Sequence, residues 1–217
     1  MDERIKKTID GLVHNRMEGY YAENCTEALE ILKKLLKKGD RVSVGGSVTL
    51  QQTGAAELLK NGDYEFLDRS AKGLTPDGVR EIYGKAYLGD AFLCSANAVT
   101  ENGELYNVDG NGNRISQIAF GSSSVIVLAG VNKIVKDLNE AVLRVKTIAA
   151  PKNALRLGVE SYCSKKGHCY SIDEGCGVDM CAGCNSEARL CSHYLVSGYQ
   201  RNENRIKVIL INEELGY

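Results

Sequence analysis

Between residues 41 and 94 the chain alternates short apolar runs with helix-like segments, and this alternation narrows the choice of fold more than any other feature. RVSVGG reads as a strand ending in a glycine turn, SVTLQQTGAAELLKNG as a helix, and DYEFLD as a second strand. TPDGVREIYGKAYLGD follows as a helix with Pro76 at its start, and DAFLCSA as a buried strand. Parallel neighbours in a sheet need a crossover, and a crossover helix covers one face of that sheet. The order strand, helix, strand, helix, strand therefore predicts an α/β fold with a mainly parallel sheet.

The flanking segments extend this core. Ile5, Ile9, Leu12, Val13 and Met17 recur at helical spacing, so an amphipathic helix opens the chain. Asn24 and Glu27 form a capping pair for a second helix through Leu29, Leu32 and Leu36, closed by Gly39. ELYNV, ISQIAF and SSVIVLAG read as three strands joined by Gly/Asn turns, which predicts an antiparallel hairpin from residues 104–130 closing one side of the sheet. DLNEAVLRVKTIAAPKNALRL reads as a helix broken near Pro151, and RIKVILIN as the last strand. With no repeat, low-complexity tract or linker, residues 1–217 are expected to form one domain, carrying a Cys-rich excursion at 163–191.

A chain of 217 residues can bury a core without covalent staples. Its 27 basic and 28 acidic side chains leave a net charge of −1 with no long basic run, which argues against nucleic-acid binding and leaves a small anionic metabolite as the expected partner. The N-terminal stretch is charged where a secretory signal needs an apolar run, and no later segment approaches the length of a membrane span. A cytoplasmic protein without membrane insertion is the expectation.

Two polar stretches can carry chemistry. In VSVGGSVTL a strand passes into a helix at Gly45, Gly46, Ser47 and Thr49, where free backbone N–H groups favour an anion; the alternative is a tight turn that merely needs glycine. CSANAVTENGELYNVDGNGNRI begins where a predicted buried strand ends, and ligands of open α/β sheets bind beyond such ends. It offers Ser95, Asn97, Thr100, Glu101, Asn107, Asp109, Asn113 and Arg114. Part of this polarity belongs to the Asn102-Gly103 and Asn111-Gly112 turns, but turn chemistry does not call for Glu101, Asp109 or Arg114. Asp68 and Arg69 end one predicted strand and Lys133 follows another, so each projects over the same sheet edge, although Lys133 also fits a solvated helix start.

Six of the eight cysteines fall between Cys163 and Cys191. In a reduced compartment such clustering points to metal or redox chemistry before structural bridges, with a reversible disulfide as the lesser alternative. Cys181-Ala-Gly-Cys184 lets two thiolates reach one metal, and Cys163 and Cys191 complete a set of four. Cys169 and Cys176 are possible substitutes, and His168 and His193 weaker ligands. Spacing alone suits zinc and an iron–sulfur cluster equally.

These stretches together resemble the LUD domain family, the lactate-utilisation proteins of the LutC/YkgG kind. GGSVTL, the strand-end DR, SANAVTENGELYNVDGNGNR, GSSSVIVLAGVNKIV and an arginine-bearing helix leading to a cysteine cluster occur in the family's order. The resemblance implies a three-layer Rossmann-like sheet of the NagB/RpiA/CoA-transferase-like type, a role in lactate or related small-acid utilisation, and iron–sulfur partner proteins. It also tips the metal towards a 4Fe–4S cluster over zinc. Thr100-Glu101-Asn102-Gly103 is similar to the stretch that bears the nucleophilic glutamate of CoA transferases, which would make Glu101 catalytic. A sugar-phosphate isomerase would instead use Glu101 or Asp109 as base with Lys133 or Arg114 steadying the substrate. A non-catalytic electron-transfer or structural subunit is the third reading, and a homo-oligomer would be ordinary for this superfamily.

Overall fold

The computed structural model describes residues 1–217. Helix α1 (Glu3–His14) starts where the Asp2 carboxylate accepts the Arg4 N–H, and it buries Ile5, Thr8 and Leu12. Strand β1 (Glu18–Ala22) leads to α2 (Cys25–Leu35), capped as expected by Asn24, whose side chain accepts the Glu27 N–H at 3.0 Å. After β2 (Arg41–Val44) the predicted single helix forms as two short pieces, α3 (Val48–Gln52) and α4 (Ala55–Asn61). Gly54, at φ 76° in the left-handed region, separates them. Strand β3 (Glu65–Leu67) and helix α5 (Pro76–Tyr87) follow, α5 capped by Thr75 with Pro76 in the first turn.

Strand β4 (Ala91–Cys94) runs into β5 (Ala98–Thr100) and β6 (Leu105–Asp109). The next segment corrects the sequence reading, because ISQIAF is not a strand but part of helix α6 (Asn113–Ala119). The Asp109 carboxylate accepts the Arg114 and Ile115 N–H groups at 2.8 and 3.2 Å, satisfying donors that a helix start leaves free. Ile115 and Ile118, three residues apart, lie at helical spacing, and Ile118 is buried. Strands β7 (Ser124–Gly130) and β8 (Ile134–Val135) flank a turn of 3₁₀ helix, Val131–Lys133.

Helix α7 (Leu138–Arg144) and helix α8 (Ala150–Arg156) are joined without a break by a π turn at Val145–Ala149. A proline lacks an N–H and crowds the carbonyl four residues earlier, and the wider π turn accommodates Pro151 where a break was expected. The cysteine segment holds two short helices, α9 (Tyr162–Lys166) and α10 (Tyr170–Asp173), and leads into β9 (His193–Ser197) and β10 (Ile206–Ile211).

Six strands form a wholly parallel sheet in the order β1-β10-β7-β4-β2-β3. Its inner strands are apolar on both faces. Along β7, Val125, Val127 and Ala129 enter a core with α1 and α6, while Ile126 and Leu128 enter one with α2, α3 and α4. The result is a mixed α/β, Rossmann-like three-layer arrangement, as expected. The antiparallel part is built differently from expectation. β7 lies inside the main sheet, and a second sheet of order β8-β5-β6-β9 pairs β6 antiparallel with both β5 and β9. It packs Tyr106, Val135 and Val142 into a third core beneath α7.

Candidate functional site

Because β2, β4 and β7 are parallel, their carboxyl ends share one edge of the sheet, and the segments leaving them converge there. Gly46, Ser47 and Thr49 after β2, Ser95 and Asn97 after β4, Asp109 at the end of β6 with Asn113 and Arg114 beyond it, and Lys133 after β7 line one cleft of about 380 Å³. Arg69 reaches it from the segment beyond β3. Sequence reasoning missed its remaining wall, which is the inner face of α8, including Asn153 and Arg156, and the C-terminal Gly216 and Tyr217. A helix face and a chain end show no local pattern that marks them as site-lining.

The cleft is cationic. Arg69, Arg114 and Arg156, with Lys133 beside them, oppose one side-chain carboxylate, Asp109, and that carboxylate already accepts two N–H groups at the start of α6. Lys133 is 3% exposed, with its Nζ 2.9 Å from Thr49 Oγ1 and 3.0 Å from Ser95 Oγ. Burial, helped by the nearby Arg144 and Arg114 guanidinium groups, lowers its pKa to about 7. Arg144, on α7, donates to the Asn97 and Asn132 carbonyls and so ties the helix to the cleft's rim.

The arginines divide by how many donors they have left. Arg114 donates to the Ser95 and Val108 carbonyls and to the Asn107 and Asn97 side chains at 2.6–3.1 Å, so it braces the cleft wall and presents charge more than free donors. Arg69 leans on the Tyr83 ring at 5.7 Å and bonds its hydroxyl. A Cβ on Gly46 would lie 2.8 Å from Arg69 Nη2, so the guanidinium tip packs closely on this turn. Arg156 is steadied by the Tyr217 hydroxyl at 2.6 Å and Asn153 Oδ1 at 2.8 Å.

Several expected residues lie elsewhere. Glu101 is bound by Arg4 Nε and Lys7 Nζ, both at 2.9 Å, on the far side of the hairpin, and its carboxyl is held low, first by Lys7. The reason is close docking of the β5–β6 turn on α1: a Cβ on Gly11 would lie 2.6 Å from the Asn102 carbonyl carbon. Thr100 belongs to the same turn, its hydroxyl accepting the Glu104 N–H. Asp68 caps its own turn by accepting the Ser70 N–H at 2.9 Å. Gly45 and Asn107 sit behind the cleft wall, in contact with or bonded to Arg114.

A smaller, apolar cavity of about 30 Å³ adjoins the cleft and is lined by Cys163, Cys169, Cys184 and Cys191 together with Tyr106, Met180 and Tyr194. Cys181 and Cys176 are exposed and do not line it. Arg189 organises the loop by donating to the carbonyls of Cys181 (2.8 Å), Cys184 (3.1 Å) and Cys191 (2.8 Å) and to the Tyr194 hydroxyl (2.7 Å). Lys146, in the π turn, donates to the Cys176 and Asp179 carbonyls. His168 is paired with Asp173, and His193 packs against Gly112; neither lines the cavity. No three of the protein's thiols, imidazoles and carboxylates are gathered tightly enough to bind an ion as they stand. Burial pushes Cys191 up to about 12 and raises Cys163 too, so thiolates there need a cation beside them. Leu190, Cys191, Val145 and Ala150 border both cavity and cleft.

A Rossmann-like sheet with a cationic cleft at its carboxyl edge defines an α/β protein suited to small anionic ligands. The LUD domain model matches residues 5–211, and the chain belongs to that family. A lactate-utilisation type of function follows from this membership in general terms. Among solved structures, a DUF162 family protein from Deinococcus radiodurans is similar in fold, with 14% identity, 97% of each chain covered and a TM-score of 0.54. No curated protein matches the chain. No helix is long and apolar enough to cross a membrane.

Proposed function

We propose that this LUD-domain protein binds a small carboxylate or phosphorylated metabolite of lactate utilisation in the cleft between the Gly46-Ser47 turn and Lys133. The observation that carries this reading is the charge of the walls: three guanidinium groups, with the Lys133 amine beside them, face one side-chain carboxylate that is already hydrogen-bonded. Arg69 and Arg156 keep donors for the ligand, while Asn97, Asn107 and Arg114 hold the frame. Glu101, tied to Arg4 and Lys7, lends no support to a transferase nucleophile or an isomerase base at that position. Thermal-shift screening with 2-hydroxy acids, sugar phosphates and CoA esters tests the cleft. A ligand that stabilises the protein, with the effect lost in Arg69→Ala and Arg156→Ala and kept in Glu101→Gln, supports it. No response across the panel favours a non-catalytic subunit working beside iron–sulfur partner proteins.

We further propose that Cys163, Cys169, Cys184 and Cys191 hold a metal centre, with Cys169 in the place first given to Cys181. A zinc tetrathiolate draws its sulfurs to about 2.3 Å from one point. Four thiols line one apolar cavity, and the resemblance to proteins that work beside iron–sulfur partners favours a 4Fe–4S cluster there over zinc. Such a cluster supplies one-electron chemistry; the chain's part is to hold it in an apolar, Arg189-braced loop. Iron and sulfide analysis of anaerobically prepared protein is the test. Cys169→Ser should lower metal content severalfold and Cys181→Ser should not; the reverse pattern restores the set first read from spacing.

A further inference from the structure

We infer that the cleft captures a 2-oxo acid covalently, as an imine on Lys133 Nζ. This rests on the reading of the cleft as a site for small carboxylates and names the carbonyl compound it takes. Lys133 is buried at the cleft floor, and a structural lysine so buried is normally matched by a carboxylate. Here its polar contacts are the hydroxyls of Thr49 and Ser95, at 2.9 and 3.0 Å. The titratable groups facing it from neighbouring elements are Arg144 of α7, Arg114 of α6 and Cys94 of β4. Two of these are cations, and burial pushes the Cys94 thiol up to about 12, so it brings no negative charge at neutral pH. The one side-chain carboxylate in the cleft, Asp109, is turned to the start of α6. An ammonium in this setting is disfavoured, and the neutral amine is a nucleophile. A desolvated lysine beside other cations is the arrangement by which amines are activated for imine formation.

The acceptor must carry a carbonyl and an anionic group close together. Arg69 and Arg156 line the same cleft and suit a carboxylate. In the reaction the Nζ lone pair forms a bond to C2 as the C2–O π pair moves to oxygen. That oxygen is protonated as Nζ loses a proton, and the carbinolamine hydroxyl then takes a proton from solvent and leaves as water, giving the protonated imine. Amine, ketone and one solvent proton thus give protonated imine and water, with no oxidant or reductant consumed. The Thr49 and Ser95 hydroxyls, bonded to Nζ, can pass the proton between nitrogen and oxygen.

The experiment treats the full-length protein with pyruvate and sodium cyanoborohydride, which reduces an imine to a stable secondary amine, and locates the adduct by intact-mass and peptide mass spectrometry. One adduct on the Lys133 peptide is expected, absent with lactate, at least tenfold above any exposed lysine, and falling as pH drops through about 7. Lys133→Arg should abolish it. If that variant misfolds, Ser95→Ala keeps the amine and should slow trapping severalfold. Labelling spread evenly over surface lysines overturns the proposal. Thermal stabilisation by pyruvate without any adduct also overturns it while leaving the anion cleft intact, whereas neither stabilisation nor adduct ends the imine proposal and leaves the cleft to the wider ligand panel.

Discussion

At the scale of single residues, two side chains, one in the β5–β6 turn and one after β7, have exchanged the roles their sequence context suggests. Glu101 sits in a segment dense with polar groups yet is neutralised by Arg4 and Lys7, while Lys133, equally at home at a solvated helix start, is enclosed. The buried amine has a consequence for stability. Its folded-state pKa, about 7, lies below the ordinary 10.5, so between those values the unfolded chain binds a proton that the folded chain does not. Stability contributed through this group therefore rises with pH across that window and is flat below it. Lys133→Met removes the term, and the variant should melt above the wild type near pH 7, with the gap narrowing steadily towards pH 10. Melting curves at several pH values decide this, and a gap independent of pH would sink the assignment of a buried, depressed lysine.

Among the elements, the β5–β6 turn and α1 show how a local signal is redirected by packing. Asn102-Gly103 announces a turn, and Gly103 indeed has φ 82°. Its position, however, depends on Gly11, where two backbones meet without side chains between them: a Cβ at Gly103 would lie 2.1 Å from the Gly11 carbonyl carbon. In an isolated helix Gly11→Ala would gain about 1 kcal/mol. In this protein the added methyl has no room, and the expected result is a loss of about 1–3 kcal/mol instead. Urea titration gives the sign directly. The pattern of ISQIAF is ambiguous for a related reason. Its β-branched residues suit a strand, but the Asp109 cap and the burial of Ile118 on the main sheet make it α6.

For the whole molecule, the notable arrangement is that the helix running from α7 through the π turn to α8 forms a common wall, with Val145 and Ala150 facing both cavities and Leu190 and Cys191 completing it. Arg189 holds the loop against this wall through three carbonyls and one hydroxyl. Arg189→Ala should leave the six-stranded sheet folded but release residues 176–191. Hydrogen exchange there is expected to rise at least tenfold with protection of β7 and β10 unchanged, and the response to cleft ligands should weaken because the shared wall loosens. Unaltered exchange in the loop would show that the clamp is dispensable.

The sequence by itself determined the class of fold. Alternating strand and helix patterns between residues 41 and 94 leave a parallel sheet as the arrangement that pairs their backbones and buries their apolar faces. It also marked the segments bordering the site, because loops at strand ends must gather at one edge of a parallel sheet, and the quoted motifs carried the family. Only the tertiary structure decided which polar residues face the cleft, and which thiols the small cavity. Spacing paired Cys181 with Cys184, but the fold turns Cys181 outward and brings Cys169 in. Strand order was equally illegible: the last strand, β10, inserts between β1 and β7, and β9 pairs with β6 from some 90 residues away. The physical reason is common to all of these. Local pattern reports which face of an element is apolar, whereas side-chain direction, strand order and cavity walls depend on contacts between residues far apart in the chain, which no short window contains.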